Sequence, residues 1–83
     1  MEHLKNARNK LSVEMIRRLE GYVSDFVNKD KDWDGAYCSI VSYCSALYDC
    51  GFVNMRERVA LSCYYRTKIS DIECRREQKN DDF

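Results

Sequence analysis

Between residues 12 and 72, apolar side chains recur at three- and four-residue intervals in three stretches, and this spacing predicts three amphipathic helices. In the first, from about Ser12 to Lys29, Met15, Ile16, Leu19, Tyr22, Val23, Phe26 and Val27 share one face, while Glu14, Arg17, Arg18, Asp25 and Asn28 lie on the other. Ser12 suits the N-cap. In the second, from about Trp33 to Cys50, the apolar stripe is Trp33, Tyr37, Ile40, Val41, Cys44, Leu47 and Tyr48, and the opposite side is small and polar, with Gly35, Ser39, Ser42, Ala46 and Asp49.

The third stretch, from about Met55 to Ile72, is apolar on two sides. Met55, Val59 and Cys63 form one line, which fits packing against the second helix. Leu61, Tyr65, Ile69 and Ile72 fall on nearly the opposite side at roughly 100° per residue. A helix of this kind either sits centrally, with both lines buried, or leaves one line for a partner.

The punctuation agrees with helices. There is no proline, and the three glycines, Gly21, Gly35 and Gly51, do not form the turn clusters of an all-β chain. Gly51 fits the left-handed position after a helix end, with Phe52 placed to cover the last turn. Asn54 and Glu57 have the spacing of a capping box opening the third helix. A link this short predicts a tight helical hairpin. The expected fold is an all-α, compact three-helix bundle over residues 11–72, with helices at about 12–29, 33–50 and 55–72. The polar segments 1–10 and 73–83 are expected to be a flexible lead and a disordered tail.

Between the first two helices lies Asp30-Lys31-Asp32-Trp33-Asp34-Gly35, which matches the first half of an EF-hand calcium loop. Asp30, Asp32 and Asp34 occupy loop positions 1, 3 and 5, and Gly35 occupies the turn position. The second half departs from the motif: position 9 is Cys38, and position 12 is Val41 where a bidentate Glu belongs. Such a site would hold calcium weakly, in the ~0.1 to 1 mM class. The plainer reading is a helix start, with Asp32 as the cap of the second helix and Asp34 in its first turn. That reading accounts for two aspartates and leaves Asp30 and Gly35 unexplained.

Composition narrows the function classes. The 83 residues form one domain, and a chain of this size buries only about 60% of its unfolded surface, which disfavours a deep enclosed active site. Fourteen basic and fourteen acidic residues balance, so the general basic excess of a nucleic-acid or anionic-membrane binder is missing. No apolar run approaches the ~20 residues of a membrane span, and Met1 to Lys10 is too polar for a signal peptide, so a cytoplasmic protein is expected. The five cysteines, at 38, 44, 50, 63 and 74, contain no C-x-x-C pair and read as reduced thiols.

No triad, phosphate-cradling glycine loop or base beside a thiol is recognisable, and the lone His3 sits in the polar lead, so no enzymatic role is expected. Arg56, Arg58, Arg66 and Lys68, with Tyr64 and Tyr65, offer a nucleic-acid surface, but the cations are spread around the helix. A DNA-reading helix-turn-helix fails in register, because Ala46 is followed at the required spacings by Cys50 and Arg56.

What remains is a non-enzymatic protein-interaction module that binds through Arg58, Leu61, Tyr65, Lys68, Ile69 and Ile72 of the third helix, alone or as a homodimer. In size, charge balance and composition the chain resembles the small regulators and inhibitors encoded by bacteriophages and other mobile elements, including antagonists of host nucleases. The likeness implies occlusion of a functional surface on a larger host protein. The alternatives are a degenerate, weakly calcium-binding module and a nucleic-acid-binding helical domain.

Overall fold

A computed structural model describes residues 2–28 and 32–81, with side chains described through Arg76. It contains four helices: α1 (Glu2–Lys10), α2 (Val13–Asn28), α3 (Trp33–Asp49) and α4 (Met55–Asp81). The all-α expectation holds, but the expected three helices are four, and both polar ends are revised. α4 packs against each of the other three, and α2 also packs on α3. The 27 residues of α4, at about 1.5 Å each, set the long dimension of a 48 × 24 × 19 Å molecule.

The supposedly flexible lead is α1. Leu4, Ala7 and Leu11 recur on one side of this polar segment, too few to register as an amphipathic stripe, yet Ala7 and Leu11 join the core. A nine-residue helix is marginal alone and gains its stability by docking. Three charged contacts hold it in place. Lys10 Nζ donates to Glu57 Oε1 at 2.9 Å, the Arg8 guanidinium lies 5.5 Å from the Tyr64 ring centre, and Arg8 approaches Glu20 at 3.8 Å.

The supposedly disordered tail continues α4 to Asp81. Arg76 shows why helix persists past Ile72. Its Nη2 donates to the backbone carbonyls of Phe26 at 2.8 Å and Val27 at 3.2 Å, and its guanidinium stacks 4.5 Å from the Phe26 ring centre. The last carbonyls of a helix lack partners within it, so Arg76 caps α2 from across the bundle.

The helix boundaries follow the anticipated caps. Ser12 Oγ accepts from Met15 N–H, and Asp32 Oδ1 accepts from Gly35 N–H at 2.8 Å. After α3, Gly51 has φ +82°, its N–H reaches the Tyr48 carbonyl, and Phe52 N–H reaches the Leu47 carbonyl. This is the paired bonding of a Schellman end. Asn54 and Glu57 exchange both capping-box bonds at 2.8 Å.

The core runs along α2 through Leu19 and Phe26, along α3 through Ala36, Ile40, Cys44 and Leu47, and along α4 through Leu61, Tyr65 and Ile69. Val53 closes the α3–α4 link. Phe52, expected to cover the last turn of α3, instead faces solvent.

Candidate functional site

The two apolar lines of α4 have opposite fates, and they are not the fates expected. Leu61, Tyr65 and Ile69, assigned to a partner, are fully buried, and Ile72 is half-buried against the core. They cannot contact a partner while the bundle is intact. The cause is that all three other helices pack on α4, so these side chains are enclosed in the core between them. Met55 and Val59, assigned to the hairpin interface, stand exposed, and so does Cys63.

The exposed line belongs to a larger patch at the α3–α4 corner. Tyr48, Phe52, Met55 and Val59 are 37%, 44%, 47% and 49% exposed, values that set them apart from an enclosed core. One guanidinium ties the two helices together here. Arg58 lies with its carbon 5.5 Å from the Tyr48 ring centre, while its Nη2 approaches Met55 Sδ at 3.1 Å. Phe52 sits on the link between the helices, and Val59 lies one turn beyond Met55. The line continues through Cys63 into a cleft of about 490 Å³ between α1 and α4, bounded by Leu4, Ala60 and Tyr64. The other large exposed apolar residues, Val13 and Val27, are at opposite ends of α2, roughly 21 Å apart at helical rise, and form no patch.

Of the residues assigned to binding, Arg58 alone falls in this patch. Lys68 is half-buried, with its ammonium 4.9 Å from the Tyr64 ring centre and 5.8 Å from that of Tyr65. Sequence reasoning did not group Tyr48, Phe52, Met55 and Val59 together: it showed Met55 and Val59 as an apolar line, but not that this line stays exposed while the other is buried.

In the acidic string, Asp30 lies outside the described residues. Asp32 and Asp34 are exposed, and the Asp32 carboxylate is taken up as the N-cap of α3. A Cβ at Gly35 would stand 2.6 Å from Asp32 Oδ1, so a side chain here would require the end of the Asp32 side chain to shift within its cap. Among the described residues, no three His, Cys, Asp or Glu side chains gather closely enough to hold a metal ion together.

Of the candidate nucleic-acid residues, Tyr65 is buried and cannot stack on a base, while Arg58, Arg66 and Lys68 lie over the rings of Tyr48, Tyr37 and Tyr64 respectively.

Among the described residues, three groups have displaced proton affinities. The Glu57 carboxyl is held below its usual range by the Asn54 backbone N–H and then by Lys10. Burial pushes the Cys44 thiol up, and burial likewise raises the Tyr65 phenol, whose hydroxyl has no hydrogen-bond partner. Glu57 links α1 to the start of α4, and the other two are core groups.

No helix among the described residues is long and apolar enough to cross a membrane. No known protein family, no curated protein and no solved structure matches this chain.

Proposed function

We propose that this chain is a small non-enzymatic protein-interaction module that binds a larger protein through its α3–α4 corner and acts by covering the surface it binds. The observation that carries this reading is the joint exposure of Tyr48 and Met55, both against the Arg58 guanidinium, and of Phe52 and Val59 on the adjoining link and helix turn. Contiguous exposed apolar side chains mark interaction sites, and Tyr, Phe, Met and Arg are the residue types enriched in interface cores. A bundle this small has little room for an enclosed reaction chamber but ample surface for one interface. The likeness in size, charge balance and composition to small phage-encoded regulators supports a host enzyme complex, such as a nuclease, as the partner.

Retention of proteins from a lysate of the native host on the immobilised full chain tests the reading. The wild type retains a specific protein, and Met55→Glu/Val59→Glu, with an unchanged circular dichroism spectrum, releases it. Equal retention by wild type and variant would overturn the assignment of the corner.

A further inference from the structure

Arg58 is the cation that touches both Tyr48 and Met55 of the corner, and its donors are poorly matched. A guanidinium offers five N–H donors in a planar fork. Nη1 reaches Ser45 Oγ at 3.3 Å, and Nη2 reaches a thioether, Met55 Sδ, which is a weak acceptor. Nε is buried and has no acceptor at all. No carboxylate among the described residues stands within ion-pair distance of Arg58. The Tyr48 ring centre lies 5.5 Å from the guanidinium carbon, within reach of a cation–π contact.

An uncompensated, half-buried cation is a cost in the free protein and a source of affinity in a complex that supplies the matching anion. Resting on the reading of the corner as an interface, we infer that its partner presents a carboxylate flanked by apolar side chains. The carboxylate pairs with Arg58, and the apolar groups cover Met55, Val59 and Phe52. The exposed apolar side chains of the same corner, Met55 in contact with the cation and Phe52 and Val59 near it in sequence, favour a protein segment over a polyphosphate backbone, which has no apolar surface to bury there. A second copy of this chain fits less well. Two-fold pairing of the corner on itself would bring two Arg58 cations toward the symmetry axis, and like charges facing each other oppose association.

Selection of 12-residue peptides from a random displayed library on the full chain tests the inference. Wild type, Arg58→Gln and Met55→Ser/Val59→Ser serve as parallel targets, each checked for fold by circular dichroism. Wild type enriches peptides that carry Asp or Glu between apolar or aromatic residues. Changing that acid to its amide weakens binding about 10- to 100-fold, as expected for loss of one partner of a desolvated charge pair. Arg58→Gln weakens the acidic peptide by a similar factor and no longer distinguishes acid from amide, while Arg58→Lys, which keeps the charge and loses the fork, falls between. Met55→Ser/Val59→Ser releases acid and amide peptides alike.

Peptides that depend on Met55 and Val59 but lack an acid, or that bind Arg58→Gln as tightly as wild type, overturn the inference and leave the corner as the interface. Failure to select any peptide, or selection of peptides indifferent to Met55→Ser/Val59→Ser, overturns both. A fluorescein-labelled 12-nucleotide single strand that binds more tightly than the best peptide and requires Arg58 assigns the cation to phosphate. A dimer by light scattering that Arg58→Gln strengthens assigns the corner to self-association. Either result also overturns the inference.

Discussion

The Glu57 carboxylate, 2% exposed, accepts a hydrogen bond from Lys10, 47 residues earlier, with the same oxygen that accepts from Asn54 N–H. One side chain therefore caps α4 and fastens α1 to it. Its carboxyl is held below its ordinary range by these bonds. A group whose affinity for protons falls on folding adds stability above its unfolded value, about pH 4.3, and that stability is lost as pH drops through the lower folded value. Glu57→Gln is expected to lower stability at pH 7 by about 1–2 kcal/mol, since half-exposed Lys10 is screened and the hydrogen bonds carry most of the effect. Urea midpoints of wild type and variant should converge as the pH is taken below 4. A gap that stays constant with pH would show that the ionised form is not what matters.

Gly35 and Asp32 form a coupled pair. A Cβ at Gly35 would crowd Asp32 Oδ1 at 2.6 Å, so the carboxylate must shift to keep its cap bond. Alanine otherwise favours helix over glycine by up to ~1 kcal/mol, while loss of an Asp cap costs about 0.5–2 kcal/mol. Gly35→Ala is therefore expected to stabilise less in the wild type than in an Asp32→Ala background, where nothing has to shift. A double-mutant cycle by urea denaturation reads the coupling directly.

The other glycines should respond in opposite directions. Gly21 lies within α2 with nothing near the place a Cβ would take, so Gly21→Ala is expected to stabilise by about 0.5–1 kcal/mol. Gly51 has open space too but a φ of +82°, so Gly51→Ala is expected to destabilise by about 1–2 kcal/mol through backbone strain. Thermal melting of the two variants compares them against one reference.

The thiols divide by burial. Cys38, Cys50, Cys63 and Cys74 are exposed, whereas Cys44 is buried and its thiol is pushed up in pKa by desolvation. Brief iodoacetamide treatment of the native chain should alkylate four sites and spare Cys44, and denaturation should open the fifth, as peptide mass analysis would show.

Most of the helical framework was legible in the chain because its signals are local. Ser12, Asp32, Gly51 and the Asn54–Glu57 pair each act on backbone groups within a few residues, and each performs the expected bond. The signals that failed are those that depend on distant elements. α1 has only Leu4, Ala7 and Leu11 to bury, and its partner residues, Glu57 and Tyr64, lie some fifty residues away. The end of α4 is held by Arg76 reaching the carbonyls of α2, a contact without a sequence pattern. The sequence also left open which of the two apolar lines of the third helix would be covered; in the fold Leu61, Tyr65 and Ile69 are buried, and Met55 and Val59 are the exposed line.

Photo-crosslinking in cells of the native host tests the role of the corner most directly. A benzophenone amino acid placed at Val59 probes the patch, and the same residue at Val13, 65% exposed but isolated on α2, controls for simple exposure. Interaction through the α3–α4 corner predicts a discrete crosslinked product with another protein from position 59 and none from position 13. Equal crosslinking from both positions, or a discrete product from position 13 alone, would contradict it.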